Sequence, residues 1–191
     1  MTQDTRTRML EKTATLLQHR GYYGTSLSDI LAASSAPRGS LYFHFPGGKD
    51  QLVIEATRTA ADAATAELRH LLETAETPAR AVRAYAEGAA AFMRESDFTF
   101  GCPVAPVILD AAGNVPELEA LCKATLEGWQ ALMRDAFSKA GIATARAPTL
   151  ALVAVAAIEG GLILARANRD ASPLETIAVE LEAMIEAALP G

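Results

Sequence analysis

The residues Arg38 to His44 include four hydrogen-bond donors, Arg38, Ser40, Tyr42 and His44, with Thr25 and Ser26 before them and Lys49 after. Donors of this kind suit an anionic partner. Arg38 can reach a guanine edge bidentately or clamp a phosphate. Gly39 has no Cβ, so a neighbouring backbone, DNA or helix, can come close. Thr25, Ser40, Tyr42 and His44 offer hydroxyl or imidazole groups to phosphates, contacts that fix register without reading sequence. Lys49 falls at the start of a following helix, where free amides and a positive dipole end favour phosphate as well. The bare pattern also describes an ordinary helical hairpin with a polar surface.

Two short helices are needed to position these side chains. Ser26-x-x-Asp29 reads as a capping box that opens the first, with Leu27, Ile30 and Leu31 on its apolar face. Ser34-Ser35 makes a turn, and Pro37 opens the second helix, where its missing N–H has no intrahelical partner to lose. Leu41 and Phe45, one turn apart, anchor that second helix, and Phe43 and Phe45 are expected in a small core. Helix, short turn and a second helix bearing exposed donors, over about residues 26–45, describe a helix-turn-helix whose second helix lies in a DNA major groove.

The runs Gly21-Tyr22-Tyr23-Gly24-Thr25-Ser26-Leu27-Ser28-Asp29-Ile30, Arg38-Gly39-Ser40-Leu41-Tyr42-Phe43-His44-Phe45-Pro46 and Lys49-Asp50-Gln51-Leu52 closely resemble the N-terminal domain of TetR-family repressors. Phe100-Gly101-Cys102-Pro103-Val104 resembles, less specifically, the LmrA/YxaF-type branch. The chain departs from the family pattern at Ser34-Ser35, where glycine is frequent, and at Gly48, where Ser or Asn is frequent. A serine forced into a left-handed conformation costs about 1–2 kcal/mol. The resemblance implies an all-α protein with a DNA-binding head over residues 1–50 and a ligand-binding and dimerisation bundle over 51–191. It implies double-stranded operator DNA as partner for Thr25, Ser26, Arg38, Gly39, Ser40, Tyr42, His44 and Lys49, and repression relieved by a small-molecule inducer.

Bulk properties fit that division. Half of the 191 residues are apolar, alanine and leucine abound, and β-branched runs are scarce, which favours helices. The net charge of −6 is unevenly spread. Residues 1–52 carry six Lys/Arg against four acids, and the remainder eleven against nineteen, as expected for a DNA-contacting head on an acidic body. The polar stretch MTQDTRTRMLEK lacks the apolar core of a signal peptide, so a reducing cytoplasm is the expected setting.

Helical spacing predicts helices over about 4–20, 48–74, 79–96, 104–112, 115–140, 147–167 and 172–189 besides the two of the motif. The third of these, opened by Pro78, turns Ala81, Val82, Tyr85, Ala89, Phe92 and Met93 inward. Leu150–Ala165 is apolar but holds Glu159 and Gly160-Gly161, and its sixteen residues fall short of a bilayer span; it reads as an interface helix. The last helix begins at Ser172 with Glu175 completing a capping box, and its stripe Leu174, Ile177, Ala178, Leu181, Met184, Ile185 and Ala188 exceeds what one neighbour covers. Surplus apolar face on two final helices points to a homodimer through a four-helix contact. Tyr85, Phe92, Phe98, Cys102, Trp129 and Met133 gather where the pattern breaks and are the candidates for an apolar or aromatic ligand, although aromatics at helical spacing also serve simply as core.

No catalytic or metal-binding group, and no cofactor, is expected. The chain has no Gly-x-Ser-x-Gly, no His-Glu-x-x-His and no Cys-x-x-Cys, and Gly47-Gly48-Lys49-Asp50 lacks the upstream glycine and the Ser/Thr of a phosphate-binding loop. The alternative to a ligand-responsive regulator is a redox-sensing one acting through Cys102 or Cys122.

Overall fold

The computed structural model describes residues 4–111 and 114–190. Among them there are nine helices and no strand: α1 Thr5–Arg20, α2 Leu27–Ser34, α3 Arg38–His44, α4 Gly48–Thr74, α5 Pro78–Glu95, α6 Ala105–Ala111, α7 Pro116–Lys139, α8 Ala147–Asn168 and α9 Ser172–Glu186. The expected ends Ala112 and Gly113 of the sixth helix lie outside the described residues. The chain forms two compact units, one of residues 1–63 and 102–123, the other of residues 64–101 and 124–191. Helices α4 and α7 have residues in both.

The first unit is built on α1, α2 and α3. Met9, Leu10, Thr13 and Leu17 recur at helical spacing and form the buried face of α1. Gly21 ends it at φ 67°, donating to the Leu17 carbonyl, with the Asp110 carboxylate of α6 filling the space a Cβ would need. No other residue suits that combination of backbone and contact. Met9, Leu10, Ile30, Ala36, Leu41, Phe45, Leu52 and Ala56 form one core. Arg6 lies 5.3 Å from the centre of the Phe45 ring and pairs with Glu55 of α4.

Phe43 departs from expectation. Phe45 is fully buried, but Phe43 is 80 % exposed. Leu41 and Phe45 are four residues apart and meet the core together, and a side chain two residues from each points the opposite way.

In the second unit, α5 packs against α9 and α8. Its buried row is Ala79, Ala81, Val82, Ala86, Ala90 and Met93; Tyr85 is half-buried and Phe92 exposed, so the inward face is rotated away from the aromatic positions. Met93 and Ala90 meet Ala165, Ala171 and Leu174, with Phe98 against them. Ala86 and Ala90 let the helix axes approach. Arg83 bridges to Glu182 at 2.6 Å and Arg94 pairs with Glu175. The α9 capping box is not formed: the helix cap is Ala171, the Ser172 amide donates to Asp170 Oδ1 at 3.1 Å, and Glu175 is turned to Arg94. The Ser172 hydroxyl also donates to Asp170 Oδ2, and that bond first, then the one from the amide, hold the Asp170 carboxyl below the usual range.

Helix α8, at 22 residues, is longer than its apolar run implied and, by length and composition alone, apolar enough to cross a membrane. Its Leu150, Ala151, Ala154, Val155, Ile158, Gly161 and Ala165 are instead buried within the unit. Gly161 makes room for Leu174 and Ile177 of α9, while a Cβ at Gly160 would meet no described side chain within 4 Å. Leu152, Ile163 and Leu164 of α8, and Val179 and Met184 of α9, remain exposed.

Candidate nucleic-acid interface

The site begins with how α2 is started. Ser26 Oγ accepts from the Asp29 amide at 3.1 Å, and Asp29 Oδ2 accepts from the Ser26 amide at 3.1 Å, so the capping box is complete. The Ser26 hydroxyl also bonds Asp29 Oδ2 at 2.6 Å, and these bonds hold the Asp29 carboxyl below the usual aspartate range. Thr25 is fully buried, its hydroxyl donating to the Gly21 carbonyl at 2.8 Å, so it ties the α1–α2 corner together from within.

The turn after α2 is closed by a left-handed serine. Ser35 adopts φ 49° and ψ 37°, and the amides of Ser35 and Ala36 return to the carbonyls of Ala32 and Leu31. Ser34 is buried, its hydroxyl donating to the Ile30 carbonyl at 2.7 Å, while its own carbonyl accepts from Arg8 Nε at 2.7 Å. Arg8 thus fastens the turn to α1.

Pro37, extended at φ −62° and ψ 145°, caps α3, and its carbonyl accepts from the Ser40 amide. With Leu41 and Phe45 locked in the core, the rotation of α3 is fixed. Arg38, Gly39, Tyr42 and Phe43 are exposed, and Ser40 and His44 are half-buried. Gly39 and Phe43 lie opposite the two anchors, Tyr42 to one side, and Arg38 is exposed in the first turn. A Cβ at Gly39 would meet nothing within 4 Å. The Phe43 and His44 rings stand edge to face, 4.9 Å apart.

Lys49, near the start of α4, is more constrained than its sequence position implied. Its Nζ donates to the Tyr22 carbonyl at 3.0 Å and lies 4.2 Å from the centre of the Tyr22 ring. Burial lowers its pKa from the ordinary lysine value, against the opposing charge of Asp50. Tyr22 in turn donates to Asp50 Oδ1 at 2.6 Å; burial first, then that bond and charge, push its phenol up to about 12. Gly48 takes φ 69°, and the Gly47 amide is capped by Gln51 Oε1 at 2.8 Å. Glycine is what the backbone at 48 requires, so the departure from Ser or Asn there is a change of turn rather than a weakened cap.

Tyr22 and Arg8 are the contributors that sequence reasoning missed. Both act over long range, from α1 or the loop after it, and periodicity says nothing about such partners. The only available signal was that Tyr22 stands within the run carrying the family resemblance.

The ligand candidates are divided. Cys102 belongs to the first unit, where its sulfur accepts from the amides of Val104 and Ala105 at 3.4 Å and opens α6. Tyr85, Phe92, Phe98, Trp129 and Met133 belong to the second. Trp129 and Met133 are buried, and the Trp129 indole N–H donates to Thr65 Oγ1 at 2.8 Å. Phe98, at φ 58°, packs on the Met93 cluster, and Phe92 stacks obliquely on Phe100 with ring centres 5.3 Å apart. A surface hollow of about 320 Å³ in this unit is lined by Arg80, Arg83, Ala84, Glu87 and Glu182, none of them a candidate. Both cysteines are buried, and burial pushes the Cys122 thiol up to about 11, away from the thiolate that oxidation chemistry uses.

Two helices at a short turn, the second presenting arginine, bare backbone and aromatic donors, have the form of a DNA-binding helix-turn-helix. Comparison with known proteins agrees. Residues 9–56 match the family model of bacterial regulatory proteins of the tetR family, and residues 78–180 match the C-terminal domain of LmrA/YxaF-like transcriptional regulators. The chain is 34% identical over 194 residues to an uncharacterised HTH-type transcriptional regulator of Mycobacterium tuberculosis, covering 98% of this chain and 97% of that protein. It is 32% identical to the HTH-type transcriptional regulator LmrA of Bacillus subtilis, covering 90% and 91%. A crystal structure of a TetR transcriptional regulator from Chloroflexus aurantiacus superposes with a TM-score of 0.83 at 27% identity, covering 97% and 96%. The chain belongs to the TetR family of transcriptional regulators, in the branch of LmrA and YxaF. That membership places it among DNA-binding regulators rather than enzymes.

Proposed function

We propose that the protein is a cytoplasmic repressor that binds a palindromic operator as a homodimer and is released by a small apolar or aromatic inducer. Residues 1–50 read the DNA and residues 51–191 bind the inducer and dimerise. The observation that carries this reading is the outward face of α3, where Arg38, Gly39 and Tyr42 stand free of the core. Arg38 contacts a base edge or a phosphate, Ser40, Tyr42 and His44 contact phosphates, and Gly39 admits the DNA backbone. Thr25, its hydroxyl buried on the Gly21 carbonyl, sets the corner, and Ser26, exposed and capping the first helix through Asp29, helps to aim α3. Lys49 meets a phosphate from its seat on Tyr22.

The homodimer is supported by the apolar side chains that α8 and α9 leave exposed. A two-fold axis would set two heads about 34–36 Å apart, on successive major grooves. The inducer would occupy the second unit near Tyr85, Phe92, Phe98, Trp129 and Met133. It releases DNA by binding better to the form whose heads are out of register; moving the population from 99:1 to 1:99 takes about 5.5 kcal/mol of differential affinity. Helix α4, with residues in both units, carries that shift in this reading.

The test is a fluorescence-anisotropy titration of the DNA flanking the protein's own gene against unrelated DNA, across a salt series. Selective binding whose log affinity falls with log salt at about −0.9 per phosphate contact is the expected result. Equal, weak binding to both DNAs at every salt concentration, together with no enrichment of any duplex from a random pool, would overturn the reading.

A further inference from the structure

Phe43 is the most exposed large apolar side chain among the described residues, at 80 %. Its position on α3 is specific. At 100° per residue, Arg38, Tyr42, Gly39 and Phe43 fan in that order over about 140° of helix surface. The apolar ring therefore closes one side of the face whose other members are a guanidinium, a phenol and bare backbone. The neighbouring His44 ring, edge-on at 4.9 Å, limits how far it can swing. One turn earlier Gly39 offers no side chain, and a Cβ there would meet nothing of the other described residues within 4 Å, its own helix backbone aside. Long side chains on a helix lean toward the preceding turn. Phe43 and Gly39 together thus make a shallow apolar step on an otherwise polar helix.

A phosphate gains nothing from a phenyl ring, and the base edges of the major groove present donors and acceptors with one apolar exception, the C5-methyl of thymine. We propose that Phe43 is a specificity-determining residue that packs on a thymine methyl in each half-site, with Gly39 leaving room for it. This rests on α3 being the DNA-reading helix.

The experiment selects duplexes from a random pool with the full-length protein, then replaces each selected thymine by deoxyuridine, which lacks only the methyl. One thymine per half-site should show about a fourfold loss of affinity on replacement, and about fifteenfold when both half-sites are changed, as expected for removing one buried methyl apiece. The Phe43→Ala protein should bind thymine and deoxyuridine duplexes equally, and Phe43→Leu should keep part of the preference. Because the side chain is exposed, both variants should melt with the wild type. Wild-type indifference to deoxyuridine at every position, a selected site without a common thymine, or full methyl discrimination by Phe43→Ala would each overturn the assignment while leaving α3 as the reading helix. Failure to enrich any duplex would instead remove the DNA reading on which it stands.

Discussion

At Gly39 folding and function separate. The structure leaves open space where its Cβ would be, and alanine favours a helix over glycine by about 1 kcal/mol. Gly39→Ala should therefore melt at the wild-type temperature or slightly above, yet bind operator at least about tenfold more weakly if a methyl there holds the groove away, a loss of about 1.4 kcal/mol. Thermal melting paired with anisotropy checks both halves, and unchanged affinity would mean that the DNA backbone does not approach Gly39. At this scale the sequence was legible wherever a residue's role is local. Ser26 and Asp29 cap as read, and Leu41 and Phe45 anchor as read. Phe43 was misplaced because its aromatic type spoke for core and only the helix phase spoke against it. The Tyr22–Lys49 contact, 27 residues apart, left no local trace.

Two elements of the motif act on its stability with opposite sign. Replacing the cap, Ser26→Ala, should destabilise by about 1 kcal/mol, read as a lower melting temperature. Because Asp29 is held below its unfolded pKa by the Ser26 bonds, its share of stability is full above about pH 4 and is lost as pH falls through the lower folded value. The melting difference between wild type and Ser26→Ala should therefore shrink in that acid window, and a constant difference down to pH 2 would sink the linkage. The turn behaves oppositely. Ser35 is left-handed, and Ser35→Gly should stabilise by about 1 kcal/mol, raising the melting point by about 3 °C. Helix existence was readable from 3.6-residue spacing in each case. Ends and faces were not always so: α9 is capped at Ala171, with Asp170 holding the Ser172 amide in place of a Ser172–Glu175 box, and α5 buries small alanines rather than its aromatics. Both outcomes were settled by partners distant in sequence, α8 and α9 for α5 and Arg94 for Glu175.

For the whole molecule, the open question posed by the surface is what covers the apolar side chains of α8 and α9. Ile163, 61 % exposed, is a discriminating position. Ile163→Glu should leave the helical signal intact, shift sedimentation from dimer to monomer and weaken operator binding, whereas a dimer that persists would place the interface elsewhere. The surplus was visible in the sequence as stripes on the last two helices, but which residues would remain uncovered depended on how α5 and α9 share the inner face. A contact made from one chain's own surface also has a consequence for the cell. Below the dissociation constant of such a pair, dimer abundance follows the square of the monomer concentration, and the folded state itself gains stability with concentration. For the homodimeric repressor proposed above, operator occupancy would then respond steeply to expression level, so that growth and division would lift repression by dilution with no inducer present.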